Sequence, residues 1–396
     1  MNDILIVGGG IVGLATGYQL LKKNSSLKLV VLEKESEVSK HQTGHNSGVI
    51  HSGIYYRPGS LKANNCRNGI SLLLKFCKEN NIKYEICGKI IIAKNNEDLP
   101  VLDRLLENGK KNCISGLKKI SSDQIKNFEP YAVGKAAIYC PETGIVDYRL
   151  VSEALAQKIK EKAEIITNTK VNKIIPDGKN LKVITNNQEY ITKSIINCAG
   201  LFSDKLFKAS GFKRKMRIIP FRGEYYKLKN KSKKLVKNLI YPVPNLNYPF
   251  LGVHFTRDIN GGIEAGPNAV LAWAREGYKK TDFNFSEALD YFLYMGFWRM
   301  AKKYWNVGIQ EYYRSFFKKA FVRSLQSMVP EITEKDIIQS PSGVRAQALN
   351  INGSLNDDFS IEQSKNMIHV LNAPSPAATS SLSIGQHVAN LYYENQ

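Results

Sequence analysis

The sequence lacks the features that mark secreted, zinc-bound and membrane-spanning proteins. It has only six cysteines, all in its first half and none in a C-x-x-C spacing, so neither a disulfide framework nor a metal site is predicted. No apolar run approaches the roughly 18 residues that a membrane span needs. The N-terminus enters a strand after Asp3 without a signal-peptide pattern, so we expect a cytoplasmic protein.

Acidic residues are also few, at 35 against 56 lysines and arginines, which gives a formal net charge of +21. Such an excess favours nucleic acid, an anionic membrane face or acidic small substrates as partners, or reflects a lysine-rich composition without a partner. A chain of 396 residues with 43% hydrophobic residues is typical of a globular protein of two domains.

A glycine-rich turn follows the first predicted strand, at residues 4–7. Gly8, Gly10 and Gly13 form G-x-G-x-x-G. In this motif the first glycine permits a tight turn, the second lets a pyrophosphate approach the backbone, and the third lets helix and strand pack closely. The motif predicts a dinucleotide site.

The elements after the turn complete this site. A helix is expected from Leu14 to about Lys23, and its N-terminus would face the phosphates. A second strand at 28–32 then leads to Glu33, about 20 residues after Gly13, where a carboxylate binds ribose hydroxyls. Gly17 adds a further small residue to the helix, a spacing that resembles FAD proteins more than NAD dehydrogenases.

A family resemblance rests on motifs spread over nearly the whole chain. The most specific is the segment 40–56, which contains His45-Asn46-Ser47-Gly48 and leads into 58–63. Further stretches agree in order: 197–200, 221–225, 241–244, 250–256, 266–269, 343–347 and 372–380. Together they resemble the L-2-hydroxyglutarate dehydrogenase/oxidase branch of the D-amino-acid-oxidase-like flavoproteins.

The resemblance implies an α/β fold with α+β elements, of the D-amino-acid-oxidase/glutathione-reductase type. A Rossmann-like FAD-binding domain would be interleaved with an antiparallel-sheet substrate domain. The FAD-binding segments are expected at 1–80, 145–212 and 340–396, and the substrate-binding segments at 81–144 and 213–339.

The resemblance also implies FAD as the cofactor and a set of residues that hold it. The loop around residue 45 is rich in small polar residues, which suits contacts with phosphates and the flavin edge. A strand and helix near the C-terminus would direct a second helix N-terminus at the cofactor. The expected cofactor-binding residues are Gly8, Gly10, Gly13, Glu33, Lys34, Thr43, Ser47, Gly48, Val171 near the adenine, Ala199, Gly200, Ser375, Ala377 and Thr379.

Residues 286–328 form a predicted helical segment in which aromatic side chains alternate with lysine and arginine. This pattern suits an interfacial helix on anionic lipid. It suits equally a pair of core helices with a solvated basic face. The first interpretation predicts peripheral association with the cytoplasmic face of an anionic inner membrane and access to membrane quinone.

Oxidation of a 2-hydroxy acid requires a base near the hydroxyl group, and histidine suits this role. His51 follows the predicted flavin loop, and His254 lies on the apolar strand 250–256. His51 has a second possible role, because some related flavoproteins attach FAD covalently through a histidine at a comparable place.

Recognition of the substrate carboxylates favours arginine, whose planar group binds a carboxylate through two hydrogen bonds. Arg345 and Arg222 are therefore the predicted carboxylate ligands, and Tyr241 a catalytic-site hydroxyl, with Tyr55 and Tyr225 as weaker candidates.

The predicted function is FAD-dependent oxidation of L-2-hydroxyglutarate, a small dicarboxylate, to 2-oxoglutarate, with electrons passed to quinone or dioxygen. An amine or amino-acid oxidase of the same fold is the alternative. A nucleic-acid-acting flavoprotein would agree with the net charge, but the sequence has no nucleic-acid-binding motif, so nucleic acid is not an expected partner.

Overall fold

The computed structural model describes residues 1–245 and 250–394. Its strands are β1 Asn2–Val7, β2 Leu29–Leu32, β3 Val49–Ile50, β4 Tyr84–Glu85, β5 Lys89–Ala93, β6 Lys118–Ser121, β7 Ala136–Cys140, β8 Gly144–Val146, β9 Glu164–Ile166, β10 Val171–Asp177, β11 Asn180–Thr185, β12 Glu189–Asn197, β13 Met216–Leu228, β14 Ile240–Pro242, β15 His254–Arg257, β16 Ile263–Gly266, β17 Val270–Leu271, β18 Ile337–Asn350, β19 Ser360–Gln363 and β20 Met367–Asn372. Its α-helices are α1 Ile11–Lys23, α2 Leu61–Glu79, α3 Leu99–Lys111, α4 Ser122–Phe128, α5 Tyr148–Lys160, α6 Ser203–Ala209, α7 Phe285–Phe292, α8 Met295–Phe316, α9 Lys318–Gln326 and α10 Ser381–Glu394.

The first sheet has a parallel centre, in which β1 pairs with β2 on one side and with β12 on the other. The order runs β10-β11-β12-β1-β2-β9, and β20 joins beside the C-terminal half of β12. Ile4, Leu5 and Ile6 are fully buried, because helices or other chain segments cover both faces of this central strand. The carboxyl ends of the parallel strands therefore lie at one edge, where α/β sheets bind their ligands.

Close packing holds α1 against its neighbours. A Cβ atom at Gly17 would lie 3.1 Å from Ile159 on α5. A Cβ atom at Gly385, on α10, would lie 2.6 Å from the backbone of Ala15. The C-terminal helix thus packs directly on the helix that carries the glycine-rich turn.

The second sheet has nine strands and is largely antiparallel, with the order β17-β13-β16-β15-β14-β5-β7-β6. Its longest pairing joins β13 to β18, from Met216 opposite Asn350 to Leu228 opposite Ile337. The boundary expected at residue 340 therefore falls inside a strand of this sheet. The division of the chain into interleaved domains otherwise stays a prediction.

The antiparallel strands β10 and β11 form a tight hairpin. β10 continues through Pro176 to Asp177, and β11 begins at Asn180, so only Gly178 and Lys179 form the turn. Proline is tolerated here because β10 is an edge strand of the sheet. Gly178 has a φ of +59°, which suits a two-residue hairpin turn.

The segment predicted to be helical at 286–328 contains three helices, α7, α8 and α9, and α8 is kinked at Tyr304. Among the helices that the described residues form, none has the length and apolar character to cross a membrane.

Candidate active site

The glycine-rich turn leaves room for a ligand at the start of α1. Gly8 has a φ of +113°, and a Cβ atom at Gly13 would lie 2.0 Å from the Gly8 carbonyl oxygen. A Cβ atom at Gly10 would meet nothing nearer than the Thr43 hydroxyl at 3.5 Å. The helix begins at Ile11, three residues before the predicted start, so the N-terminal end of the helix lies at this open space. The cradle fits a diphosphate.

Glu33 lies at the carboxyl end of β2 and ties the neighbouring loops together. Its Oε2 accepts a hydrogen bond from the Gly9 N–H at 2.7 Å, and its Oε1 accepts one from the Glu35 N–H at 2.9 Å. A carboxylate has about four acceptor positions, so two remain for the hydroxyls of a ribose. This geometry is compatible with a contact between Glu33 and the ribose, which stays a prediction.

The polar loop after residue 40 packs against the start of α1. The Thr43 hydroxyl accepts the N–H of Ile11 at 3.0 Å, which leaves its proton free to donate to a phosphate. Ser47 is half-buried beside it. Gly48 has a φ of +67°, and a Cβ atom there would lie 2.7 Å from the Val146 carbonyl oxygen, so the loop passes close to the strand β8.

Lys34 lies in a cluster of charged side chains. Its Nζ lies 2.6 Å from carboxylate oxygens of both Glu35 and Glu276, and 3.1 Å from His41. A carboxylate oxygen of each glutamate and a ring nitrogen of His41 all lie within 4.8 Å of one another. These contacts tie Lys34 into an ion-pair cluster with the two glutamates, and its predicted contact with the cofactor stays a prediction.

The remaining predicted cofactor residues lie at the ends of strands and in turns. The Ala199 N–H donates to the Asn197 side chain at 3.0 Å, and Gly200 follows with a φ of +52°. Val171 begins β10, at an irregularity in its pairing with β11. The Ala377 N–H closes a turn by donating to the Pro374 carbonyl at 3.0 Å.

The Thr379 hydroxyl is engaged in hydrogen bonds within the protein and is not free to bind a ligand. Its hydroxyl accepts the His51 N–H at 3.1 Å and lies 2.8 Å from the Tyr148 hydroxyl. It also donates to the Val49 carbonyl at 3.3 Å. A contact of Thr379 with the cofactor would therefore come from its backbone, and its predicted cofactor-binding role stays a prediction.

His254 is buried and held in one orientation. Its ring stacks on that of Tyr241, with centroids 4.0 Å apart. Its Nδ1 lies 2.9 Å from the Gly252 carbonyl oxygen, which fixes the proton of the neutral ring on Nδ1 and leaves Nε2 as an acceptor. Burial lowers the pKa of His254 to about 3, so the ring is neutral near pH 7.

His51 is half-buried nearby. Burial, followed by the charges of Lys89, His254 and Lys62, lowers its pKa to about 3. Its Nε2 lies 3.4 Å from the Ser375 hydroxyl, and its Nδ1 has no partner among the described residues. The two histidines that the sequence singled out therefore share one electrostatic environment, and both are neutral.

The two predicted carboxylate ligands differ sharply. Arg222 is 3% exposed, and its guanidinium is bound to Glu224 at 3.1 and 3.2 Å and to the Lys279 carbonyl at 3.2 Å. Its guanidinium charge is paired with Glu224, which does not favour the predicted catalytic role, and that role stays a prediction. Arg345 has no ion pair among the described residues, and its guanidinium lies 5.3 Å from the Phe250 ring centroid. Its charge lowers the pKa of His254, after the larger effect of burial.

Lys89 belongs to this cluster, although the sequence did not single it out. It begins the buried strand β5, and it is 1% exposed. Its Nζ lies 4.7 Å from the ring centroid of Tyr55 and 4.8 Å from that of Tyr241. Nothing in its local sequence distinguished it from the many surface lysines.

The charge around the two histidines is positive. Lys62 lies near them and is paired with Asp357, but that carboxylate is 93% exposed. No carboxylate of the described residues pairs with Lys89 or Arg345. An anion that enters this region would meet two buried or half-buried cations and two neutral imidazoles.

Comparisons with known proteins agree with this architecture. Residues 3–391 match a family model described as "FAD dependent oxidoreductase". An L-2-hydroxyglutarate dehydrogenase of Indibacter alkaliphilus is 53% identical, over 97% of this chain and 96% of that protein. The mitochondrial L-2-hydroxyglutarate dehydrogenase of Homo sapiens is 45% identical, over 98% and 88%.

Among solved structures, the FAD-bound L-α-glycerophosphate oxidase of Mycoplasma pneumoniae superposes with a TM-score of 0.81. It is 23% identical and covers 99% of this chain and 94% of its own, so it supports the fold alone. The predicted Rossmann-like α/β flavoprotein fold is confirmed.

Proposed function

We propose that this chain, which belongs to the FAD-dependent oxidoreductase family and within it to the L-2-hydroxyglutarate dehydrogenases, oxidises L-2-hydroxyglutarate to 2-oxoglutarate. The observation that carries the proposal is the 53% identity over 97% of the chain to a dehydrogenase of that name. The cationic pocket around two neutral histidines supports it, because the substrate carries two negative charges at neutral pH.

The turn at residues 8–13 and Glu33 would hold FAD, which would supply the acceptor for the hydride from C2 of the substrate. The protein must then remove the hydroxyl proton and hold the carbon in place. We assign proton removal to Nε2 of His254, because the Gly252 carbonyl fixes the ring with this nitrogen unprotonated. The substrate's negative charge would raise the affinity of Nε2 for that proton.

Arg345 is the proposed ligand of the C1 carboxylate. Its guanidinium has no carboxylate partner among the described residues, and its charge acts on His254. A bidentate contact would orient C2 beside the base. We place His51 as a hydrogen-bonding group on the other side of the substrate hydroxyl, because Ser375 and the Thr379 contact to its backbone hold it in place.

Amine oxidation is the alternative within the same fold. A substrate amine carries a positive charge at neutral pH, and the cations Lys89, Lys62 and Arg345 would repel it. A hydroxy acid brings no such charge. The pocket therefore favours the 2-hydroxy acid.

Anaerobic mixing tests the function directly. The holoenzyme is mixed without oxygen with L-2-hydroxyglutarate, D-2-hydroxyglutarate, L-lactate, glycine, sarcosine and L-glutamate, and the visible flavin absorbance is followed. We expect rapid bleaching by L-2-hydroxyglutarate alone, with 2-oxoglutarate as the product. Bleaching by an amino acid in its place would refute the assignment.

We further propose that the protein lies on an anionic membrane, on its cytoplasmic face, and passes electrons to membrane quinone. One face of α8 exposes large apolar side chains: Trp298 is 53% exposed, Trp305 59% and Phe316 69%. Exposed basic residues, among them Arg299, Lys302 and Lys303, lie on the same helix. This arrangement supports interfacial binding over the core-packed interpretation, because a core helix would bury those rings.

Liposome sedimentation tests the membrane proposal. Vesicles with anionic lipid should bind the holoenzyme at low salt, and binding should weaken at high salt because the lysine contribution is screened. A water-soluble quinone should reoxidise the substrate-reduced enzyme faster than dioxygen does. Equal binding to neutral and anionic vesicles, or none, would contradict the proposal.

A further inference from the structure

Lys89 is a buried cation without a carboxylate partner among the described residues. Its side chain is 1% exposed and is enclosed between the rings of Tyr55 and Tyr241. Aromatic faces stabilise an ammonium group, but they do not replace the water or the counter-ion that burial removes. Such a position is typical of a group that meets its counter-charge when a ligand binds.

Unpaired polar atoms surround the same place. The Tyr55 hydroxyl and the Nδ1 of His51 are buried and have no hydrogen-bond partner among the described residues. Buried polar atoms are nearly always paired in a complete structure. A ligand with several oxygen atoms would satisfy both atoms together with the ammonium of Lys89.

The two cations of the pocket flank one pair of rings. Lys89 lies over the Tyr241 ring, which stacks on the His254 ring, and Arg345 acts electrostatically on the same histidine. A substrate with C2 at the Nε2 of His254 can therefore extend one carboxylate toward Arg345 and another toward Lys89. A dicarboxylate matches this arrangement, and a monocarboxylate would leave one cation unpaired.

We propose that Lys89, held between Tyr55 and Tyr241, binds the distal C5 carboxylate of the substrate and thereby makes the enzyme specific for dicarboxylic 2-hydroxy acids. This inference rests on the proposed function and deepens it. The Tyr55 hydroxyl is the neighbouring donor to the same carboxylate. The aromatic enclosure keeps the ammonium from turning toward solvent.

The charge state of Lys89 agrees with this role. Burial lowers its pKa to about 8, so the free enzyme carries the positive charge at neutral pH and loses it at mildly alkaline pH. An arginine at this position would keep its charge throughout that range.

The experiment compares two substrates in four proteins. The substrates are L-2-hydroxyglutarate and its C5 amide, which has the same shape but no distal charge. The proteins are the wild-type holoenzyme, Lys89→Met, Lys89→Arg and the control Lys83→Met, which removes an exposed lysine close by in the sequence. Rates of anaerobic flavin reduction give kcat/KM for each pair.

We expect Lys89→Met to lose about a hundredfold in kcat/KM with L-2-hydroxyglutarate and less than about threefold with the amide. Lys89→Arg should retain preference for the dicarboxylate, and Lys83→Met should match the wild type. An equal loss with both substrates would overturn the proposal, because it would indicate a structural lysine. A wild type that reduces its flavin with neither substrate would instead contradict the proposed function.

A binding measurement on the wild type covers the case in which Lys89→Met fails to fold. Glutarate and butyrate are titrated into the oxidised holoenzyme at pH 6.5 to 9.5, and the flavin absorbance reports their Kd values. The Kd of glutarate should rise about tenfold per pH unit above pH 8, as Lys89 loses its proton, relative to that of butyrate. A constant ratio of the two Kd values would overturn the proposal.

Discussion

The Tyr241 ring lies against the imidazole of His254, with centroids 4.0 Å apart and planes inclined by 24°. Tyr241 is 1% exposed, so the histidine has a rigid wall on this side. With Nδ1 held by the Gly252 carbonyl, the ring cannot turn, and Nε2 points in a fixed direction. These two contacts fix the orientation of the proposed base, which its position in the sequence does not determine.

Replacement of His254 by Asn should lower the rate of flavin reduction by L-2-hydroxyglutarate by about 10²- to 10⁴-fold, because the substrate hydroxyl loses its proton acceptor. FAD content should stay unchanged, since His254 lies in the second sheet. His387→Asn, on α10, is the matched control and should reduce its flavin at the wild-type rate. Stopped-flow absorbance measures both. A loss below threefold would exclude His254 as the base.

Arg345→Lys should raise the KM for L-2-hydroxyglutarate by a decade or more, because lysine cannot form the bidentate contact. Arg222→Lys should leave KM within about twofold and lower the free energy of unfolding by about 1–3 kcal/mol, since the bonds to Glu224 and Lys279 are structural. Steady-state kinetics and denaturant unfolding distinguish the two variants. The same KM change in both would contradict the assignment.

The kcat/KM profile should be flat across about pH 5.5 to 7.5. His51 and His254 have pKa values lowered to about 3, so their neutral forms persist far below the usual histidine range, and activity falls only as acid protonates them or the substrate. Above about pH 8 the profile should fall as Lys89 loses its charge. A fall in kcat/KM on the acid side that is centred near pH 6.5 would contradict this prediction, because it would show that the catalytic histidine is solvated.

Gly13→Ala should abolish tight FAD binding. A Cβ atom there would lie 2.0 Å from the Gly8 carbonyl oxygen, so the phosphate turn must open. Gly308→Ala, in α8, is the control, because nothing lies within 4 Å of its added Cβ atom. The ratio of flavin to protein absorbance after purification checks the prediction. Full FAD content in Gly13→Ala would mean that the turn adapts without loss of the site.

The double variant Trp298→Ser, Trp305→Ser should bind anionic vesicles at least about tenfold more weakly than the wild type, since two exposed rings are lost from the proposed membrane face. Anaerobic flavin reduction should be unaffected. Leu150→Ser removes a comparably exposed apolar side chain from α5 and serves as the control. Sedimentation of all three proteins with the same vesicles is the measurement.

The sequence predicted the part of the site that local patterns encode. The strand before Gly8, the turn and the position of Glu33 follow from glycine spacing and from one buried strand, which are short-range properties. The family motifs indicated His51, His254 and Arg345 in the same way. The helix start was misplaced by three residues, because its N-cap, Gly10, has no side chain to cap the helix.

Long-range pairings were less predictable. Lys89 meets Tyr241 only because β5 and β14 are neighbours in the second sheet, and nothing in the intervening sequence encodes that pairing. The true partner of Arg222 did have a local signal. Residues two apart on a strand share a face, which favours a contact between Arg222 and Glu224, and the contact forms although the pairing of β13 with β18 is irregular between Gly223 and Tyr225. Lys34 similarly pairs with Glu35 next to it and with the distant Glu276.

The Thr379 hydroxyl bridge has a consequence for biosynthesis. It fastens the loop that carries His51 to a residue near the end of the chain, and α10 then packs on α1. An emerging polypeptide can form the first strands early, yet it cannot close the flavin pocket until residue 379 has left the ribosome. The cofactor should therefore be captured only after that residue has been synthesised, and chains cut short before residue 379 should accumulate without colour.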